Sequence, residues 1–190
     1  MLEQGTFDMI YHEHLSYFAL SPLRQFFSDH DMEVVRVEHI TTHGGSIRVF
    51  AQFWSNQGSK EMRVEELLQK EQSWLLHEES FNNFARRVGL IKHTFSALIS
   101  DRIAQGKRIA GYGLPAKAST LLNCCGMSSD DMAYIVDDSP AKQGKWAPGS
   151  RIPIVAATRL DEDPVDCIVI FPWNLVKEIT ERLNPHLSRG

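Results

Sequence analysis

Apolar residues change their spacing along this chain, and the changes mark its elements. Glu33–Ile40 alternates, with Val35, Val37 and His39 on one side. After a Thr42-His43-Gly44-Gly45-Ser46 turn, Ile47–Phe53 alternates again, so an antiparallel hairpin is predicted. Ahead of it, residues 6–12 read as a strand. Ser21-Pro22-Leu23 reads as an N-cap with proline at the first helical position, opening a helix with Leu23, Phe26 and Phe27 on one face. From Lys60 to Ile103 the steps become three and four residues, through Val64, Leu68, Trp74, Phe81, Phe84, Val88, Ile91, Phe95 and Ile99. That is a helical stripe, broken near Glu78–Ser80 into two helices. Its width predicts packing against the following domain, a neighbouring domain or a second subunit, with most of its aromatics in a core.

Beyond Gly106-Lys107 short apolar runs alternate with helical ones. Arg108–Tyr112, Ala133–Val136, Ile152–Val155 and Asp166–Phe171 read as strands, and Pro115–Cys125 and Leu175–Leu183 as helices. This order predicts a Rossmann-like parallel sheet. The expected fold is therefore α/β, in three parts. Residues 1–56 hold a β-hairpin remnant of a larger sheet, 57–105 a helical linker, and 106–190 a Rossmann-like domain.

Composition narrows the function without naming it. The 190 residues are 43% hydrophobic and 23% charged, with a net charge of −4 and scattered basic residues. That disfavours nucleic acid or an anionic membrane surface as partner. No apolar run approaches the roughly 20 residues of a membrane span, and the first residues do not form a signal peptide. Cys124, Cys125 and Cys167 are odd in number and in apolar surroundings, so free thiols in a cytoplasmic protein are expected. Neither a CxxC pair nor a helical H-E-x-x-H pattern occurs, and no metal site is expected. The chain opens in an apolar stretch with no capping element before it, which reads as a fragment or a domain whose partner lies elsewhere.

Two stretches carry candidate chemistry. Gly111-x-Gly113-x-x-Ala116 fits the dinucleotide fingerprint between a strand and a helix, and Asp137 follows where a ribose-binding acid would sit. Lys117 adds a cation in the helix's first turn, against the dipole preference, which points to an anionic ligand. Asp138, Lys142, Lys145, Trp173 and Asn174 share the same loops. A turn that merely packs strand on helix, with a solvated lysine loop, is the alternative. The second stretch, Tyr11-His12-Glu13-His14, concentrates phenol, imidazole and carboxylate groups suited to acid–base chemistry. A wet, capped strand end is its alternative.

These residues resemble a known family. Phe7-Asp8-x-Ile10-Tyr11-His12-Glu13-His14-Leu15-Ser16-Tyr17 and His43-Gly44-Gly45-Ser46-x-Arg48 look like the signature of S-adenosylmethionine-dependent sugar C-methyltransferases. Tyr112-Gly113-x-x-Ala116-Lys117, Leu121-Leu122-Asn123, Asp137-x-x-x-x-Lys142-x-Gly144, Pro148-Gly149-x-x-Ile152-Pro153-Ile154 and Trp173-Asn174 look like their C-terminal domain. The resemblance implies methylation of a carbon beside the ketone of a nucleotide-linked keto-deoxysugar. His14 would then be the base, with Tyr11 and Glu13 lining the sugar site. Gly111, Gly113, Lys117, Asp137, Lys142, Trp173 and Asn174 would hold the nucleotide sugar. The family's zinc module and S-adenosylmethionine-binding part lie outside these residues, so a missing N-terminal portion is an expected partner, and a homo-oligomer is possible. A non-catalytic nucleotide- or nucleotide-sugar-binding module and an NAD(P)-binding oxidoreductase fragment are the alternatives.

Overall fold

The computed structural model describes residues 1–56, 60–75 and 77–187, with the side chains of His43, Pro185 and Leu187 outside the description. The expected boundary after residue 56 adjoins 57–59, which also lie outside it. The chain folds as two units, Met1–Gly5 with His14–Arg86, and Thr6–Glu13 with Arg87–Gly190.

In the first unit, β1 (Met32–Ile40) and β2 (Ser46–Phe53) pair antiparallel, with Val37 opposite Val49. The register shifts between Val34 and Arg36. Val35 is a bulge, and the extra residue reverses which side chains face inward. Val34 and Val37 are buried, whereas the simple alternation expected Val35, Val37 and His39 to share a face. A lone hairpin is marginal in water, and here α1 (Leu20–Ser28) and α2 (Met62–Trp74) cover it. Leu20, Val34, Val37, Val64 and Leu68 form the shared core, each burial worth roughly 2 kcal/mol.

Helix α1 starts before the expected Ser21 cap. Its N-cap is Ala19, which has no capping oxygen, and the cap comes from α2 instead. The buried Glu71 carboxylate accepts the backbone N–H groups of Leu20 and Ser21 and the Ser21 hydroxyl, each at 2.7 Å. Pro22 thus sits in the first turn, where its missing N–H costs nothing.

The long stripe is two helices, α2 and α3 (Glu78–Ala104), parted near Leu75. Much of α3's apolar surface is open. Phe81, Leu90, Leu98 and Ile103 are exposed, whereas the aromatics Trp74, Phe84 and Phe95 are half-buried and Ile99 is fully buried. Steps of three and four drift around a straight helix over 27 residues, and only part of the stripe meets a core.

In the second unit β3 (Ile109–Tyr112), β4 (Ile135–Val136), β5 (Ile154–Val155) and β6 (Cys167–Ile170) form a parallel sheet in the order β5-β4-β3-β6. Alternate β3 residues face opposite layers. Ile109 joins Leu114, Ala118, Leu122 and Ile135 beneath α4 (Ala116–Cys124), and Ala110 and Tyr112 join Leu160, Ile179 and Leu183 of α5 (Arg159–Glu162) and α6 (Val176–Leu187). Helices on both faces of a parallel sheet make this unit Rossmann-like. The carboxyl ends of β3, β4 and β6 open onto one edge, which sets the site.

Candidate functional site

The loop after β3 is held by Asp137, at the end of β4. One carboxylate oxygen accepts the Leu114 N–H at 2.7 Å and the Lys142 ammonium at 3.0 Å, and the other accepts the Ser139 N–H at 2.9 Å. Lys142 also donates to the Leu114 carbonyl at 2.9 Å. Burial raises the Asp137 carboxyl, but these donors outweigh it and hold the group below the ordinary aspartate value. Asp137 and Lys142 therefore close the loop on itself, and Lys145 is left exposed.

The sign of the pH effect follows. A depressed carboxylate contributes stability above its unfolded value, about pH 4, that is lost as pH falls through the folded value. Asp137→Asn is expected to cost about 2 kcal/mol at pH 7, the worth of hydrogen bonds to a charged group. The gap from wild type should narrow below pH 4 in thermal unfolding followed by circular dichroism. A gap that stays constant down to pH 2 would remove Asp137 as its source.

The two fingerprint glycines are closely packed. Gly111 lies buried within β3, and a Cβ there would stand 2.6 Å from the Phe171 ring and 3.0 Å from Ile135. It stays below the loop surface. Gly113 has φ +76°, and a Cβ would stand 2.4 Å from Pro172 Cγ. Pro172 follows β6, so the loop after β3 closes against the loop after β6. With the Leu114 amide taken by Asp137, this turn lacks the free approach that a dinucleotide pyrophosphate needs.

A second constellation sits at the start of α4. Lys117 Nζ lies 4.4 Å from the centroid of the Trp173 ring, within cation–π reach, and donates to Asn174 Oδ1 at 2.6 Å. Trp173 Nε1 donates to Asp8 Oδ2 at 3.3 Å. Partial burial pushes the Lys117 ammonium below the ordinary lysine value, and Asp8 pulls the other way. Trp173 remains 41% exposed, so the cluster is reachable from water. Lys117, Trp173 and Asn174 thus lie side by side. Asp8 joins them from a distance of 165 residues, which nothing in its local sequence announces.

Residues 6–12 do not form the expected strand. Phe7–Met9 is a single 3-10 turn, with Ile10 N–H on the Phe7 carbonyl at 2.9 Å. Four apolar-rich residues are too few for alternation to tell the two apart. Phe7 and Met9 are buried, and the turn packs on α4. Tyr11 is half-buried. His12 and Glu13 are exposed and 3.9 Å apart. These residues belong to the second unit, whereas His14 belongs to the first, its ring 6.4 Å from that of Tyr17.

Tyr112 closes the far side of the same edge. Its hydroxyl donates to Asp138 at 3.1 Å, and Arg182 of α6 donates to the same carboxylate at 3.1 Å. Burial, then the Asp138 charge, push the Tyr112 phenol above its ordinary value. Among the described residues no helix is long and apolar enough to cross a membrane.

A Rossmann-like parallel sheet with a polar cluster at its ligand edge defines a class, and a family narrows it. Residues 41–190 match the C-methyltransferase C-terminal domain, and the chain belongs to that family. The chain is 36% identical over 191 residues to C-methyltransferase NovU of Streptomyces niveus, covering 100% of this chain and 46% of that protein. It spans about half the length of the curated relative it matches.

Proposed function

We propose that this chain is the C-terminal part of a C-methyltransferase acting on a nucleotide-linked keto-deoxysugar. The observation that carries the reading is the Lys117–Trp173–Asn174 cluster, at the head of α4 and on the carboxyl edge of the parallel sheet. An ammonium, an exposed indole and an amide suit a diphosphate and the rings attached to it. Asp137, Lys142, Gly111 and Gly113 act on the ligand indirectly, by shaping the loop beside it. Residues 106–190 would be the nucleotide-sugar domain, 57–105 the helical linker and 1–56 the edge of the methyltransferase sheet.

The resemblance gives His14 the part of the base, with Tyr11 and Glu13 against the sugar. Imidazole suits the task, since its ordinary titration lies nearest neutrality. It would take the proton α to the ketone, and the enolate carbon becomes the nucleophile. Membership of a methyltransferase family implies S-adenosylmethionine as donor. The described residues do not fit it: the one strand–glycine–helix turn of the parallel sheet is closed by Asp137 and Pro172. The donor is assigned to the portion of the relative beyond this chain, which would be its partner. A cytoplasmic setting accords with three free cysteines.

The closed turn also favours a second reading, in which this chain alone binds nucleotide sugar without catalysis. It speaks against an NAD(P)-dependent oxidoreductase. Calorimetry with a thymidine diphosphate sugar, NAD and S-adenosylmethionine tests all three. The sugar nucleotide is expected to bind and the other two to give no heat. Tight NAD binding with no sugar-nucleotide binding would remove the proposal.

A further inference from the structure

Asp8 lies between two buried anchors. Phe7 and Met9, each 7% exposed, bury against the second unit on either side of it, and its carboxylate reaches the Trp173 indole N–H. One residue past Met9, the Ile10 carbonyl stands 3.4 Å from the Thr120 hydroxyl of α4, which also lies 3.5 Å from the Ala116 carbonyl. The chain is thus tied down immediately before Tyr11, His12 and Glu13. The same indole serves Lys117. Its N–H faces Asp8 and its ring face lies under the ammonium, so one rigid side chain touches both groups. A carboxylate on an indole N–H feeds electron density into the ring and strengthens its hold on a cation.

We propose that Asp8 is a positioning residue, which through the Trp173 indole ties the segment bearing Tyr11 and Glu13 to the Lys117 site. Filling that site with a nucleoside diphosphate then fixes the segment that faces the sugar. The second half of this statement rests on the reading that Lys117, Trp173 and Asn174 hold the nucleotide; the first half does not. The consequence is an ordered assembly, with the handle of the substrate bound first and the residues around its reacting end fixed afterwards.

The test is amide hydrogen exchange at Ile10, whose N–H is bonded to the Phe7 carbonyl. It is read with and without thymidine diphosphate in the 190-residue chain. Without nucleotide, Asp8→Ala and Trp173→Phe are each expected to speed exchange about tenfold, the worth of a hydrogen bond to a charged group. The double variant is expected to be no faster than either single one, because both remove the same link. Asp8→Asn keeps an acceptor and should stay within about threefold of wild type. Thymidine diphosphate should slow Ile10 exchange in wild type and Asp8→Asn, but bind Asp8→Ala without slowing it. A structural role alone would leave the nucleotide effect intact.

Unchanged exchange in Asp8→Ala, or full additivity in the double variant, overturns the link. Equal slowing by nucleotide in wild type and Asp8→Ala overturns the coupling. Failure of thymidine diphosphate to bind wild type, with the Asp8–Trp173 cycle as expected, overturns the nucleotide reading and the coupling, and leaves the link standing.

Discussion

Lys117→Ala is expected to weaken binding of a nucleoside diphosphate sugar by about 10- to 100-fold, the range for one charge-assisted hydrogen bond. The fold should be intact, because Lys117 packs on the outside of the sheet and its partners Trp173 and Asn174 are exposed. Removal also leaves the Asp8 carboxylate uncompensated beside an incoming phosphate, which adds repulsion. Lys117→Arg keeps the charge but not the compact ammonium that fits between indole and amide, and should recover part of the affinity. The pH profile carries the same signature. Burial depresses the Lys117 ammonium, so affinity should fall as pH rises before the ordinary lysine value of about 10.4 is reached. Calorimetry on wild type and variants reads these differences. Equal affinity in wild type and Lys117→Ala would take the nucleotide away from this cluster.

Gly113→Ala is expected to destabilise the second unit strongly. At φ +76° an L side chain already costs roughly 1–2 kcal/mol. Its Cβ would meet the Pro172 ring at 2.4 and 2.7 Å, and a rigid ring cannot swing aside. Overpacking of this kind adds roughly 1–3 kcal/mol, for a total of about 3 kcal/mol. Differential scanning calorimetry should record a fall in Tm of about 10 °C. Gly89→Ala is the control: it lies in α3 with nothing within 4 Å, and should be neutral or slightly stabilising. A Tm for Gly113→Ala close to that of Gly89→Ala would show that the two loops do not close as described.

What the sequence announced, and what it hid, divide along the range of the interactions. The hairpin, the two long helices and the strand–helix order of the Rossmann-like unit follow from local periodicity, and they are present. Local periodicity cannot see a bulge, and Val35 reversed the inward face of β1. Nor can it see a cap borrowed from another helix, as Glu71 supplies to α1. The glycine fingerprint was legible as a strand–turn–helix. Whether its amides face a ligand depended on Asp137, Phe171 and Pro172, which approach from elsewhere. Trp173 and Asn174 were legible at the carboxyl edge because strand order predicts that edge, and Lys117 from its place in the first turn of a helix. The part of Asp8 was not, since its chemistry depends on an indole 165 residues away.

The assignment of Thr6–Glu13 to the second unit has an evolutionary reading. The chain passes from one unit to the other and back within its first fourteen residues, so neither unit is a single stretch of gene. A crossover near residue 86 that exchanged only the downstream half between relatives would deliver a foreign Trp173 and α4 to a resident Asp8, Ile10 and Tyr11. Exchange of the second unit between family members is therefore expected to succeed only when a short upstream patch travels with it, and the two patches should diverge together.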